Sequence, residues 1–150
     1  MTESPIPIVK EAPIFRLRTI TPPKSLLIIE DDLSLVQFID SILESLYPKL
    51  HWEYVTSGEA ALDLLKRRAL VYGDRPYSLV LSDIYLEGEV TGLDVFLLCQ
   101  KVFPEMPFVL TSAVSRERYL SIIEGIARGP EYVPKPLTVR GCQKVFEEYL

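Results

Sequence analysis

Short, wholly apolar runs alternate along this chain with stretches whose apolar residues recur three and four apart. Ser25-Leu-Leu-Ile-Ile29 is the first such run and has the length of a buried strand. Leu35, Val36, Ile39, Ile42, Leu43 and Leu46 follow at helical spacing, and Pro48 closes that helix. Residues 52–55 predict a strand. Ser57 is placed to cap a second helix, which carries Ala60, Ala61, Leu64 and Leu65. That helix is expected to end in Lys66-Arg67-Arg68, where basic side chains suit the negative end of the helix dipole. The alternation repeats with a strand over 78–82, a helix over 93–103 stopped by Pro104, and a strand over 108–111. A helix from a Ser115 cap to about residue 127, a short strand at 132–133 and a helix from a Thr138 cap to Leu150 complete it. Repeated β–α units of this kind predict an α/β fold, a doubly wound parallel sheet with helices on both faces.

The first 24 residues break the pattern. They hold Pro5, Pro7, Pro13, Pro22 and Pro23, and four basic residues against two acidic ones, so the remainder carries −7 of a total net charge of −5. A boundary near Lys24 separates a Pro-rich N-terminal extension, residues 1–24, from a domain over residues 25–150. Residues 15–20 alternate apolar and polar, which fits a disordered tail or an edge strand that docks on a partner.

Composition narrows the function classes. The chain is 48% hydrophobic and 25% charged, enough to fill a core. Its pI of about 5.0 argues against direct nucleic-acid binding. The longest aliphatic run, residues 26–29, is far too short to insert in a membrane, and the first eight residues lack the layout of a secretory signal. Cys99 and Cys142 sit singly in helix-like stretches, as buried reduced thiols of a cytoplasmic protein would. His51 is the one histidine, so a His-rich zinc site is excluded and a Ser-His-Asp triad disfavoured. No glycine pattern matches a dinucleotide fingerprint or P-loop. Chemistry must come from carboxylates, hydroxyls and lysines.

Two strands run into acids: Leu26-Leu-Ile-Ile29 into Glu30-Asp31-Asp32, and Leu79-Val-Leu-Ser82 into Asp83. Doubly wound sheets bind ligands at the carboxyl ends of strands, beside the switch in strand order. If the first and third strands are neighbours, Glu30, Asp31 and Asp83 converge, and a proton or hard cation must relieve their repulsion. Asp32 is read as the cap of the first helix. Leu110-Thr111-Ser112-Ala113 brings hydroxyls to the same edge, and Val133-Pro134-Lys135-Pro136 brings a lysine on a proline-fixed bend.

Acid pair, single acid, hydroxyl and lysine at successive strand ends resemble the receiver domain of two-component response regulators. LLIIEDD, LVLSD, FVLTSA and YVPKP carry the resemblance, over residues 25–150. It implies a flavodoxin-like, five-stranded sheet of order 2-1-3-4-5 with five helices. It further implies that Asp83 is the phospho-acceptor, that Glu30, Asp31, Asp83 and the backbone carbonyl of Tyr85 bind Mg²⁺, and that Lys135 contacts the phosphoryl group. Ser112 matches the switch hydroxyl and Tyr132 the switch aromatic, expected to pack into space that Ser112 vacates on turning inward. The sequence departs from the family at Glu87, where a proline is usual. The loop Glu87-Gly-Glu-Val-Thr-Gly92 is about one residue longer than usual, and Gly129-Pro130 has the character of an insertion.

The resemblance implies a phospho-acceptor switch that takes a phosphoryl group from a sensor histidine kinase or histidine phosphotransfer protein. The output would be a downstream protein bound through the face of the fourth helix, fifth strand and fifth helix. The competing expectation is a constitutive, phosphorylation-independent interaction module on the same fold. The chain is expected to catalyse its own phosphorylation and dephosphorylation, without turning over a free substrate. A phosphatase with an aspartyl nucleophile is disfavoured, because Glu30 stands where that nucleophile would be an aspartate. A homodimer stays open.

Overall fold

The computed structural model describes residues 23–150; the 15–20 segment singled out above lies outside them. Ten elements alternate: β1 (Ser25–Ile29), α1 (Leu33–Leu46), β2 (His51–Val55), α2 (Gly58–Tyr72), β3 (Leu79–Asp83), α3 (Gly92–Val102), β4 (Phe108–Ser112), α4 (Arg116–Ile122), β5 (Glu131–Pro134) and α5 (Val139–Tyr149). All strand pairs are parallel, in the order β2-β1-β3-β4-β5. This is the flavodoxin-like sheet with five helices that the resemblance implied. β1 and β3 are neighbours, so the two acid-bearing strand ends meet.

The apolar runs of β1, β3 and β4 follow from burial on both faces. Leu27, Ile29, Val80 and Leu110 pack with Ala61, Leu65, Val95, Phe96, Cys99 and Tyr119, residues of α2, α3 and α4. Leu26, Ile28, Leu79, Leu81 and Val109 face the other way, onto Val36, Ile39, Leu43, Cys142, Val145 and Phe146 of α1 and α5. The period-2 alternation of strand side chains thus fills two cores from the same sequence runs. Both cysteines are buried and free.

Three helices depart from expectation. α2 runs on to Tyr72, so Lys66-Arg67-Arg68 lies inside the helix rather than at its end. Arg67 instead pairs with Asp63 one turn back, at 3.2 Å. Arg68 folds over the rings of Tyr72 and Tyr77, at 4.7 and 4.2 Å from their centroids, and donates to Pro76 O and Ser25 Oγ. These contacts, not the helix dipole, account for the basic run. α4 stops at Ile122, well short of residue 127, and Gly125 then turns at φ +83. α3 begins at Gly92 because Thr91 and Asp94 form a reciprocal capping box. The expected caps Ser57, Ser115 and Thr138 all accept from backbone N–H groups of the first turns.

Candidate functional site

Main-chain pairing continues one residue past three strands and sets the site. Glu30 N donates to Val55 O, Ile84 N to Thr111 O, and Lys135 N to Ser112 O, at 3.0, 3.1 and 2.9 Å. Glu30, Asp83 and Lys135 are therefore held by the sheet rather than by free loops. The Lys135–Pro136 peptide bond is cis. Lys135 Nζ donates to Asp83 Oδ2 at 2.8 Å and stands 2.9 Å from Glu30 Oε2. One ammonium thus bridges the ends of β1 and β3.

Glu30, Asp31 and Asp83 each offer a carboxylate oxygen, and these atoms all lie within 4.8 Å of one another. Glu30 is 2% exposed. Its Oε1 accepts from Asp32 N at 3.1 Å. Its Oε2 is buried, and the close ammonium is not aligned to make a hydrogen bond with it. Burial holds the Glu30 carboxyl above its ordinary range, against the opposing pull of Lys135. Burial also works against the charge on Lys135, but its contacts with Asp83 and Glu30 outweigh this and hold the ammonium above its ordinary value. Three carboxylates around one ammonium leave an excess of negative charge. An all-oxygen donor set of three carboxylates, with one ammonium to balance it, fits a hard divalent cation such as Mg²⁺.

Asp32 belongs to the helix, as expected: its Oδ1 accepts from Ser34 N at 3.0 Å and caps α1. Beside it, a groove of about 290 Å³ runs past Leu35, Phe38, Pro136 and Leu137, with Lys135 at its edge. Tyr85, two residues past Asp83, has a half-exposed side chain.

Ser112 is buried, and its hydroxyl has a long 3.4 Å contact with Val114 N. Tyr132 already lies inward: its hydroxyl is shared between Ser112 O and Val114 O, at 2.8 and 2.9 Å. The ring stacks on Tyr119 with centroids 4.0 Å apart, and the Tyr119 hydroxyl donates to Pro130 O at 2.7 Å. The Gly129-Pro130 segment thus anchors this aromatic pair.

Two residues that sequence reasoning passed over, Gly92 and Glu59, shape the site together with Thr111. Gly92 lies against the Asp83 backbone: a Cβ there would come within 1.8 Å of Asp83 O. Thr111, opposite Asp83 in the sheet register, has a buried hydroxyl with no partner. Glu59 on α2 receives the backbone of the loop after Asp83. Thr111 stands in the FVLTSA motif itself; nothing local marks Gly92 or Glu59, whose importance comes from contacts distant in sequence.

No family model matches the chain, and neither does any curated protein. Many solved receiver domains share its architecture. The Vibrio cholerae chemotaxis protein CheY4 is 14% identical, with a TM-score of 0.67 over 86% of this chain and 100% of that one. The receiver domain of a sensor histidine kinase from Pseudomonas aeruginosa, with a magnesium ion coordinated in its active-site cleft, is 19% identical with a TM-score of 0.63. It is matched over 85% of this chain and 98% of its own. A CheY-like receiver domain protein from Methanospirillum hungatei is 22% identical, with a TM-score of 0.67 over 85% and 93% of the two chains. This chain has the CheY-like fold of response-regulator receiver domains.

Proposed function

We propose that this chain is a phospho-acceptor signalling switch, in which Asp83 takes a phosphoryl group from a sensor histidine kinase or histidine phosphotransfer protein. The observation that carries this reading is the Lys135 ammonium suspended between Asp83 and the buried Glu30, within a cluster that keeps excess negative charge. An Asp83 carboxylate oxygen forms the new O–P bond as the N–P bond of a phosphohistidine breaks. The electron pair of that bond returns to the imidazole, which takes up a proton from solvent. Lys135 neutralises charge on the transferring oxygens and holds Asp83 in place. Glu30, Asp31, Asp83 and the Tyr85 carbonyl would hold Mg²⁺, which when bound supplies further positive charge toward those oxygens. The groove beside Lys135 offers Leu35 and Phe38 as an apolar bed for the donor protein.

The phosphoryl group adds roughly −1.5 to −2 charges and strong acceptor oxygens. Ser112 supplies a hydroxyl to them, and that turn shifts the loop whose carbonyls hold Tyr132. The output is a change in protein binding at the face of α4, β5 and α5. The exposed Tyr85 side chain shields the acyl phosphate from water, so Tyr85→Ala shortens its lifetime; equal decay rates in the two proteins would refute that role. A cytoplasmic location suits a protein with this chemistry and two buried thiols.

The experiment is to treat the protein with a small acyl-phosphate donor and Mg²⁺, reduce with borohydride, and map the peptides. An acyl phosphate on Asp83 is converted to homoserine at that position. Conversion elsewhere, with Asp83 intact, would overturn the assignment.

One observation favours a second reading. Tyr132 is held by two main-chain carbonyls and by the Tyr119 ring, all groups of this chain itself, as a constitutive, phosphorylation-independent module would have it. Equal partner affinity before and after phosphorylation would establish that alternative.

A further inference from the structure

The loop that follows Asp83 lacks the proline usual in receiver domains, yet it is tied down elsewhere. Glu59, in the first turn of α2, accepts from two successive backbone amides through one oxygen: Glu89 N at 2.9 Å and Val90 N at 3.0 Å. Its own backbone N–H first, and then the Val90 and Glu89 amides, hold its carboxyl below the usual range. Ser57, the α2 cap, makes an isolated parallel bridge with Glu87. The two segments approach closely at Gly58 and Gly88. A Cβ on Gly58 would meet Val90 O at 2.6 Å, and one on Gly88 would meet the Glu59 carboxylate at 2.7 Å. Gly88 also sits at φ +82, a conformation that favours glycine.

The loop is pinned at both ends as well. Ile84 N donates to Thr111 O, and Gly92 N closes back onto Ile84 O at 2.8 Å. Between those pins lie Tyr85 and Leu86, and then the segment that Ser57 and Glu59 grip. Glu59 itself is exposed and points its carboxylate at backbone rather than at a cation.

We infer that Glu59 is a positioning residue for the metal site. By clasping the amides of Glu89 and Val90, it fixes the path of the loop and hence the Tyr85 carbonyl relative to the three acids. This rests on the reading of Glu30, Asp31, Asp83 and Tyr85 as Mg²⁺ ligands. A carboxylate clasp does here what a rigid proline would do from within the loop, at a place where Glu87 leaves the backbone N–H intact.

Mg²⁺ titration by calorimetry and amide hydrogen exchange by NMR, on wild type, Glu59→Ala and Glu59→Gln, test it. In Glu59→Ala, the Glu89 and Val90 amides exchange faster and Mg²⁺ binds roughly tenfold more weakly, the low end for groups that support metal ligands. Glu59→Gln keeps an acceptor oxygen and retains most of both properties. An equal loss of affinity in the Gln and Ala variants would make this a charge effect and overturn the clasp. Unchanged affinity in Glu59→Ala would overturn it too, whatever the exchange rates. A wild type that binds no Mg²⁺ sinks the metal reading itself, and is seen separately, before any variant is compared.

Discussion

Lys135 is the residue on which the site turns. Its ammonium occupies the space between two carboxylates that would otherwise repel, and it competes there with any cation. Lys135→Ala therefore raises Mg²⁺ affinity in a titration while abolishing phosphorylation at Asp83, since the transferring oxygens lose their fixed positive partner. Lower affinity together with full phosphorylation would contradict that role. Gly92 makes the complementary point in steric terms. A methyl group within 1.8 Å of Asp83 O cannot be absorbed by a rotamer change, because the obstacle is main chain. Gly92→Ala costs about 1–3 kcal/mol, as overpacking does. Denaturant unfolding reads the loss, and an unchanged midpoint would count against the close approach.

The two thiols give a pH signature at the same scale. Burial pushes Cys99 up to about 12 and Cys142 up to about 11, above an unfolded value of about 8.5. A thiol whose proton is held more tightly in the folded state adds stability that is complete below its unfolded value. That stability is lost as pH rises from there through the folded values. Unfolding midpoints should fall between about pH 9 and 12, and neither thiol should react with a small alkylating reagent at pH 8 until the protein unfolds. Fast alkylation of the native protein would refute this burial.

At the scale of elements, what is legible in sequence depends on how local the determinant is. β1, β3 and β4 are legible because each is buried on both faces, so the apolar run is uninterrupted. The caps Ser57, Ser115 and Thr138 are legible because a cap acts within one turn. The end of α2 is not, since Arg68 is drawn onto Tyr77, which lies beyond the helix. α4 ends sooner than expected, capped at Ile123 before Gly125 turns the chain, and Tyr119 ties it to the β5 side. Its ring lies flat on Tyr132, its hydroxyl reaches Pro130 O, and Gly125 bends the chain away. Tyr119→Phe should cost about 1 kcal/mol for the lost hydrogen bond, and Tyr119→Ala about 3–5 kcal/mol for the cavity. Equilibrium unfolding separates the two, and equal costs would mean the stack contributes nothing beyond the hydroxyl.

For the whole molecule, the sheet order does the work that no single motif can. Glu30 and Asp83 are 53 residues apart in the chain, yet neighbouring parallel strands deliver them to one edge, with Lys135 arriving from the far end of the same sheet. Order of motifs along the chain was enough to anticipate that convergence. The state of Tyr132 and the grip of Glu59 on the loop were not anticipated, because both depend on contacts between elements that leave no local trace. We propose that this convergence makes Asp83 a Mg²⁺-dependent phospho-acceptor. Intact mass after incubation with a small acyl-phosphate donor, with and without Mg²⁺, on wild type and Asp83→Asn, tests it most directly. One phosphoryl adduct, dependent on Mg²⁺ and absent from Asp83→Asn, is the predicted result. An adduct that persists in Asp83→Asn, or no adduct on a folded wild type that binds Mg²⁺, would contradict it.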